Sequence, residues 1–351
     1  MSLSNTLVDL IATSSVTGQE GRLCTAIAER LLPVHGFDGV HRVGNSLIVG
    51  KRSEKPLITL YGHLDTVPEQ NGNLTPRRDG AMIHGLGASD MKAGLAVMIH
   101  LLEESEIAAG PYDVVGVFYD KEEGPMADNG LEDVLDAAPW LEDSALAVVM
   151  EPTDLELQLG CNGAMNATVG FQGSAAHSAR PWLGENAITK AGSWLDRFHQ
   201  LEPRSVDIAG LEFREVFSVT RAAGGIANNV IPADFELNLN YRFPPLYSMD
   251  EAERRLRTTA EGADRVTITD RAPAGEIDVE NEHYSRLERI SGATRTAKQG
   301  WTDVARLTSR GVSAVNYGPG IVAQAHQASE HVPIQHLHDA FETMRSFLVE
   351  D

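Results

Sequence analysis

Residues 57–68, LITLYGHLDTVP, run an apolar strand straight into an imidazole and a carboxylate, His63 and Asp65. A short, continuous apolar run closed by polar residues and proline is the pattern of a strand buried on both faces, as in parallel sheets covered by helices. Alternate residues of an extended chain face the same side, so His63 and Asp65 are expected to converge at the strand's C-terminal end. Open α/β sheets build their sites at that edge.

Similar runs recur at 46–49, 114–119 and 146–150, with helical spacing at 92–104 and 130–137 between the later ones. This alternation predicts an α/β layer structure with a buried, mainly parallel sheet. Upstream, Thr17 and Glu20 have capping-box spacing ahead of Leu23, Ile27 and Leu31, and Pro33 is expected to stop that helix. From about residue 164 the rhythm changes to strand 164–171, helix 186–198, strands 213–220 and 234–243, helix 249–259 and strand 265–269. That βαββαβ order predicts a ferredoxin-like α+β module. The α/β pattern then resumes, with helices at 282–297 and 302–309, a strand at 313–317 and a helix at 334–349. The expected division is a catalytic domain of residues 1–163 and 276–351, interrupted by an inserted domain at 164–275.

Four more strand ends or adjoining loops carry residues able to hold a metal. They are Asp90 in GLGASDMKAG (85–94), Glu122 and Glu123 in YDKEEGP (119–125), Glu151 in VVMEPT (148–153) and His326 in AHQASEHV (325–332). Taken singly, Asp90 suits a helix cap and the paired glutamates suit a solvated surface. Five such coincidences along one sheet edge point instead to a shared site. His63, Asp90, Glu123, Glu151 and His326 supply two imidazoles, three carboxylates and no thiolate, a set suited to zinc, with cobalt or manganese as substitutes. If one carboxylate bridges, each of two ions gains three protein ligands, as two-metal hydrolysis requires. A carboxylate beside the metals, such as Glu122, is then placed to move a water proton.

With 50 Asp and Glu against 29 Lys and Arg, the formal net charge of −21 argues against nucleic acid and anionic membranes as partners. Cys24 and Cys161 are too few for a disulfide framework or a four-thiolate site. The start lacks a basic region followed by an apolar one, and no apolar run approaches the roughly 18 residues of a membrane span. A cytoplasmic protein is expected.

The runs GHLDTVP, GASDMKAG, EEGP, MEPT, GSAAHSARPWLGENA and AHQASEHVP resemble, in order and over nearly the whole chain, the dinuclear-zinc metallopeptidases. That family includes aminoacylase, acetylornithine deacetylase, glutamate-releasing carboxypeptidases and succinyl-diaminopimelate desuccinylase. Within it, residues 159–187, 224–243 and 300–307 look most like the actinobacterial desuccinylase branch. The resemblance implies a zinc-aminopeptidase-like catalytic domain with a ferredoxin-like lid that joins two subunits into a homodimer. It implies two zinc ions per subunit, bridged by Asp90, with His63 and Glu151 on one and Glu123 and His326 on the other. Glu122 falls on the general acid/base, and Asp65 on the carboxylate that orients His63. His177 falls on a histidine presented to the partner subunit's site. Asn229 and Arg242 fall on substrate-holding positions, with Arg180 a further candidate, and the 90–91 peptide bond is expected to be cis.

The implied reaction is hydrolysis of a small N-acyl amino acid. Deacylation of another acyl amino acid, cleavage of a dipeptide or C-terminal residue, or metal binding without catalysis are the alternatives, and the intact Glu122 speaks against the last. Trp301 departs from the small polar residue common in relatives, and the net charge opposes steering of a dicarboxylate substrate, so local arginines would have to attract it.

Overall fold

The computed structural model describes residues 1–350, and the chain divides into two compact units. The first takes Met1–Leu159, Ile277–Thr296 and the chain from Leu307 onward; the second takes Gly160–Glu276 and Ala297–Arg306. Ala297–Arg306, which the sequence pattern groups with the catalytic domain, thus belongs to the second unit. It is tied there, the Lys298 carbonyl accepting from Asn162 N–H and the Gln299 side-chain Oε1 from Arg214 N–H.

In the first unit, the described residues form an eight-stranded sheet. Its order is Val40–Val43, Ser46–Val49, Asp113–Tyr119, Leu57–His63, Leu146–Val149, Ala314–Asn316, Leu157–Leu159 and Arg295–Ala297. Leu57–His63 pairs in parallel with both Asp113–Tyr119 and Leu146–Val149, and Ala314–Asn316 continues the parallel core beyond Leu146–Val149. Every residue of Leu57–His63 is buried, which its apolar composition requires of a strand covered on both faces. Helix Lys92–Glu103 lies close against this layer because two contact positions lack side chains. A Cβ on Gly94 would come within 2.2 Å of the Met150 carbonyl, and one on Gly62 within 2.7 Å of Leu95. The parallel core brings the C-terminal ends of Leu57–His63, Asp113–Tyr119 and Leu146–Val149 to one edge.

The second unit holds a five-stranded antiparallel sheet in the order Arg204–Ile208, Leu211–Gly224, Asp234–Phe243, Gly163–Gln172 and Arg265–Ala272. Its last four strands have the ferredoxin-like order. Phe235, Leu237, Leu239, Tyr241 and Phe243 alternate inward and join Trp194, Phe198, Ala252 and Leu256 in one core. Beside it, the Glu215 carboxylate accepts from Tyr241 Oη at 2.6 Å and from Arg255 at 2.7 and 2.9 Å. Glu215→Ala strands the buried Tyr241 hydroxyl and one face of Arg255. It is expected to destabilise this unit by about 2–3 kcal/mol, measured by urea unfolding. A change under about 0.5 kcal/mol would mean that water replaces the carboxylate.

Several local expectations differ from the structure. Thr17 caps no helix, its hydroxyl donating instead to Asp65, and helix Gly21–His35 begins after Glu20 without a side-chain cap. Pro33 sits inside that helix, which runs on to His35 and ends at Gly36 with φ +68°. The helix expected over 186–198 is two, Ala187–Lys190 and Gly192–His199, and the edge strand Arg204–Ile208 is additional. The helix expected over 282–297 stops at Ser291, where left-handed Gly292 caps it, and the chain re-enters the sheet at Arg295–Ala297. Helix Leu3–Ala12, capped by Ser2, had no counterpart among the expected elements. Among the described residues, no helix is long and apolar enough to cross a membrane.

Candidate metal centre

His63 is the last residue of its strand and is 1% exposed. Its Nε2 lies 3.1 Å from Asp90 Oδ1 and 3.7 Å from Glu151 Oε1. Its Nδ1 is 3.0 Å from the Asp65 carbonyl oxygen and 3.5 Å from Asp65 Oδ1. A proton on Nδ1 donated to that carbonyl leaves Nε2 as a lone-pair donor aimed at the acidic residues. The Asp65 carboxylate, with Oδ1 3.5 Å from the His63 Nδ1 it is expected to orient, has further partners as well. It accepts from the Glu122 and Glu123 N–H groups and from the Thr17 hydroxyl, each at 3.0 Å, so it fixes the turn that carries both glutamates. Burial alone would raise the Asp65 pKa; His63 and the two backbone donors hold it below the usual value.

The loop before helix Lys92–Glu103 supplies Asp90, and its Asp90–Met91 peptide is cis. The two Asp90 oxygens face different histidines, Oδ1 toward His63 and Oδ2 3.6 Å from His326 Nε2. His326, at φ +62° in a loop, also places Nε2 2.9 Å from Glu123. Three ligand-capable groups result: His63, Asp90 and Glu151; Asp90, Glu123 and His326; and His63, Glu122 and Glu123, each with its donor atoms within 4.8 Å of one another. The first two share Asp90, while the third sets Glu122 beside the pair. All of these residues belong to the first unit.

The donor set fits divalent cations. Two ligand atoms on one tetrahedral zinc stand roughly 3.3 Å apart, given metal–ligand lengths near 2.0–2.1 Å, and the separations of 2.9–3.7 Å bracket that value. Asp65, Asp90, Glu122, Glu123 and Glu151 face two imidazoles, so the pocket demands positive charge. Against burial, which would lower it, the hydrogen bonds that its ring donates to the Asp65 and Asp90 carboxylates hold His63 well above its ordinary pKa. The contact with Glu123 pushes His326 up to about 9. A metal ion meets the same demand by displacing those protons.

The chain matches the model of the peptidase family M20/M25/M40 over residues 59–350. It belongs to that family. The M20 chain is 38% identical over 343 residues to a Mycobacterium tuberculosis protein provisionally named succinyl-diaminopimelate desuccinylase DapE, covering 97% of this chain and 96% of that one. It is 33% identical over 360 residues to the succinyl-diaminopimelate desuccinylase of Corynebacterium glutamicum, covering 99% and 95%. Identity to the acetylornithine deacetylase of Myxococcus xanthus is 28% over 368 residues, covering 95% and 93%. Among solved structures, a Staphylococcus aureus tripeptidase superposes with a TM-score of 0.80 at 22% identity, covering 99% of this chain and 97% of that one. A Bacillus subtilis protein described as a dinuclear metal-binding peptidase of the M20 family superposes at 0.69 and 18%, covering 99% and 96%.

The remaining predicted residues lie in the second unit. His177 ends the short strand Ala176–His177, which pairs with Val230–Ile231, and it is exposed. The Ser178 N–H donates to the Asn229 carbonyl and the Arg180 N–H to the His177 carbonyl, so His177, Arg180 and Asn229 share one small structure. Arg242 stands apart on the strand Asp234–Phe243, half-buried, with Nε 3.2 Å from Asn240 Oδ1. Trp301 donates its indole N–H to the Pro273 carbonyl, and the Arg306 guanidinium lies over its ring.

Sequence reading missed Glu330. It is 2% exposed, and its carboxylate accepts the N–H groups of Gly87, Ser89 and Asp90 at 2.8–2.9 Å. Burial pushes it up to about 7, against the pull of those donors. The available signal was its place four residues after His326, but a glutamate in a polar loop ordinarily reads as surface.

Proposed function

We propose that this M20 enzyme is a dinuclear metal-dependent amidohydrolase that cleaves N-succinyl-L,L-2,6-diaminopimelate to succinate and L,L-2,6-diaminopimelate, in the supply of lysine and cell-wall precursors. The observation that carries the reading is 38% identity along 97% of the chain to the mycobacterial DapE relative, joined to a site with Asp90 facing both histidines. Asp90 would bridge two zinc ions, with cobalt or manganese able to replace them, His63 and Glu151 completing one position and Glu123 and His326 the other. When bound, the ions polarise the scissile carbonyl and lower the pKa of the attacking water. Glu122 takes the proton released as water attacks the amide carbon, then delivers it to the nitrogen as the C–N bond breaks. Asp65 holds the Glu122 backbone in place through this exchange.

The second unit supplies the lid and the homodimer contact. Strand Arg204–Ile208 covers Leu211–Gly224 only as far as Glu215, so Val216–Gly224 offers an edge to a second copy. Trp182, Leu183 and Ile226 are exposed apolar residues of the same unit. His177 of the partner subunit donates to the developing oxyanion, while Arg242, Arg180 and Asn229 hold the substrate's carboxylates and amide. The cytoplasm is the compartment this biosynthetic role implies.

The test is a substrate panel on metal-loaded protein, comparing the succinyl substrate with acetylornithine and simple dipeptides. The succinyl compound is expected to lead in kcat/KM by at least about 100-fold, since an unmatched buried charge costs that much or more. Preference for acetylornithine would move the enzyme to the deacetylase reading. Anomalous diffraction from zinc-loaded crystals is expected to place His63, Asp90, Glu123, Glu151 and His326 each within about 2–2.5 Å of an ion.

A further inference from the structure

The loop that carries Asp90 is gripped from one side. Glu330 Oε1 accepts from the N–H groups of Ser89 and Asp90 at 2.8 and 2.9 Å, and Oε2 from Gly87 at 2.8 Å. The Glu330 carbonyl accepts from Gly85 N–H at 3.0 Å. Ser89 adds two further bonds, its hydroxyl donating to the His331 carbonyl at 2.7 Å and accepting from Ile321 N–H at 3.0 Å. These partners all come from residues 321–331, the segment that also contains His326. A buried carboxylate is costly unless its lone pairs are met, and here three converging backbone donors meet them.

We infer that Glu330 is a positioning residue for the metal centre: by gripping the backbone at Gly87, Ser89 and Asp90, it sets Asp90 relative to His326 so that the second ion is held. The inference rests on the two-metal reading above. The two positions differ in what supports them. His63 ends a buried strand and Glu151 follows two residues after another, so the ion between them and Asp90 keeps two ligands in place without the grip. The other ion relies on Asp90, Glu123 and His326, none of them in a strand, and the His326 side chain is 53% exposed. Loosening the strap should therefore release that ion first.

Glu330→Gln keeps the side chain's volume while turning one acceptor into a donor pointed at an N–H. Zinc titration calorimetry and the visible absorption of cobalt-loaded protein read the two ions separately. Wild type is expected to take two ions; Glu330→Gln should hold the first within a few-fold and bind the second about 10- to 100-fold more weakly. Glu215→Ala, destabilised in the other unit, should leave both affinities unchanged. Unchanged affinity for both ions in Glu330→Gln overturns the inference, as does equal weakening of both or a matching loss in Glu215→Ala. Wild type that takes a single ion overturns the two-metal reading itself, a result distinct from the others. Should Glu330→Gln not fold, Ser89→Ala removes the strap's other two bonds and carries the same expectation at a few-fold scale.

Discussion

Glu122→Gln is expected to keep both metal ions and lose about 10²- to 10⁴-fold or more in kcat, the usual range for a general acid/base. The carboxylate stands in a group with His63 and Glu123, yet the pairs facing Asp90 are completed by Glu151 and His326. Its backbone is pinned by Asp65, and the amide keeps the same shape, so neither position nor fold should change. What the amide cannot do is accept a proton from water and return it to a departing amine. The effect should therefore fall on kcat with KM nearly constant. Metal content by elemental analysis, measured with the kinetics, separates the proposals: near-normal turnover at full occupancy would remove Glu122 from the role.

His177→Ala is expected to cost about 10²- to 10³-fold in kcat, as loss of one oxyanion donor does elsewhere. The stronger test is mixing. In a heterodimer of His177→Ala and Glu122→Gln subunits, one composite site combines an intact Glu122 with an intact His177 and the other lacks both. Random exchange at equal amounts makes half of the dimers heterodimers, each with one working site, so activity should return to about a quarter of the wild-type value. Exchange confirmed by mass with no recovery would show that His177 does not act across subunits.

Much of the site was legible because its chemistry coincides with strong local signals. Leu57–Gly62 is dominated by apolar and β-favouring residues, and the polar His63 that closes such a run falls at the strand's end. The same logic placed Glu122, Glu123 and Glu151. Their residue types then restricted the metal to one that accepts imidazole and carboxylate. The ferredoxin-like order was legible too, since alternation in Asp234–Phe243 and helical spacing in Met249–Thr259 are local periodicities.

Misread elements were those decided by distant partners. Thr17 and Glu20 have capping-box spacing, but the Thr17 hydroxyl finds the Asp65 carboxylate, 48 residues away. Pro33 lacks the N–H that would bond back to the preceding turn, and the chain stays helical two residues further, to His35.

By itself, the sequence determined the layer architecture, the inserted antiparallel module and the residue types able to bind metal, because hydrophobic period and donor chemistry are properties of short segments. Only the tertiary structure decided which oxygen of Asp90 faces which histidine, that the Asp65 carboxylate serves the Glu122 turn, and that Glu330 ties the loop of Asp90 to the segment of His326. Those are contacts between segments up to about 240 residues apart, whose geometry is set by the packed sheet and by the need of each buried polar group to find a partner.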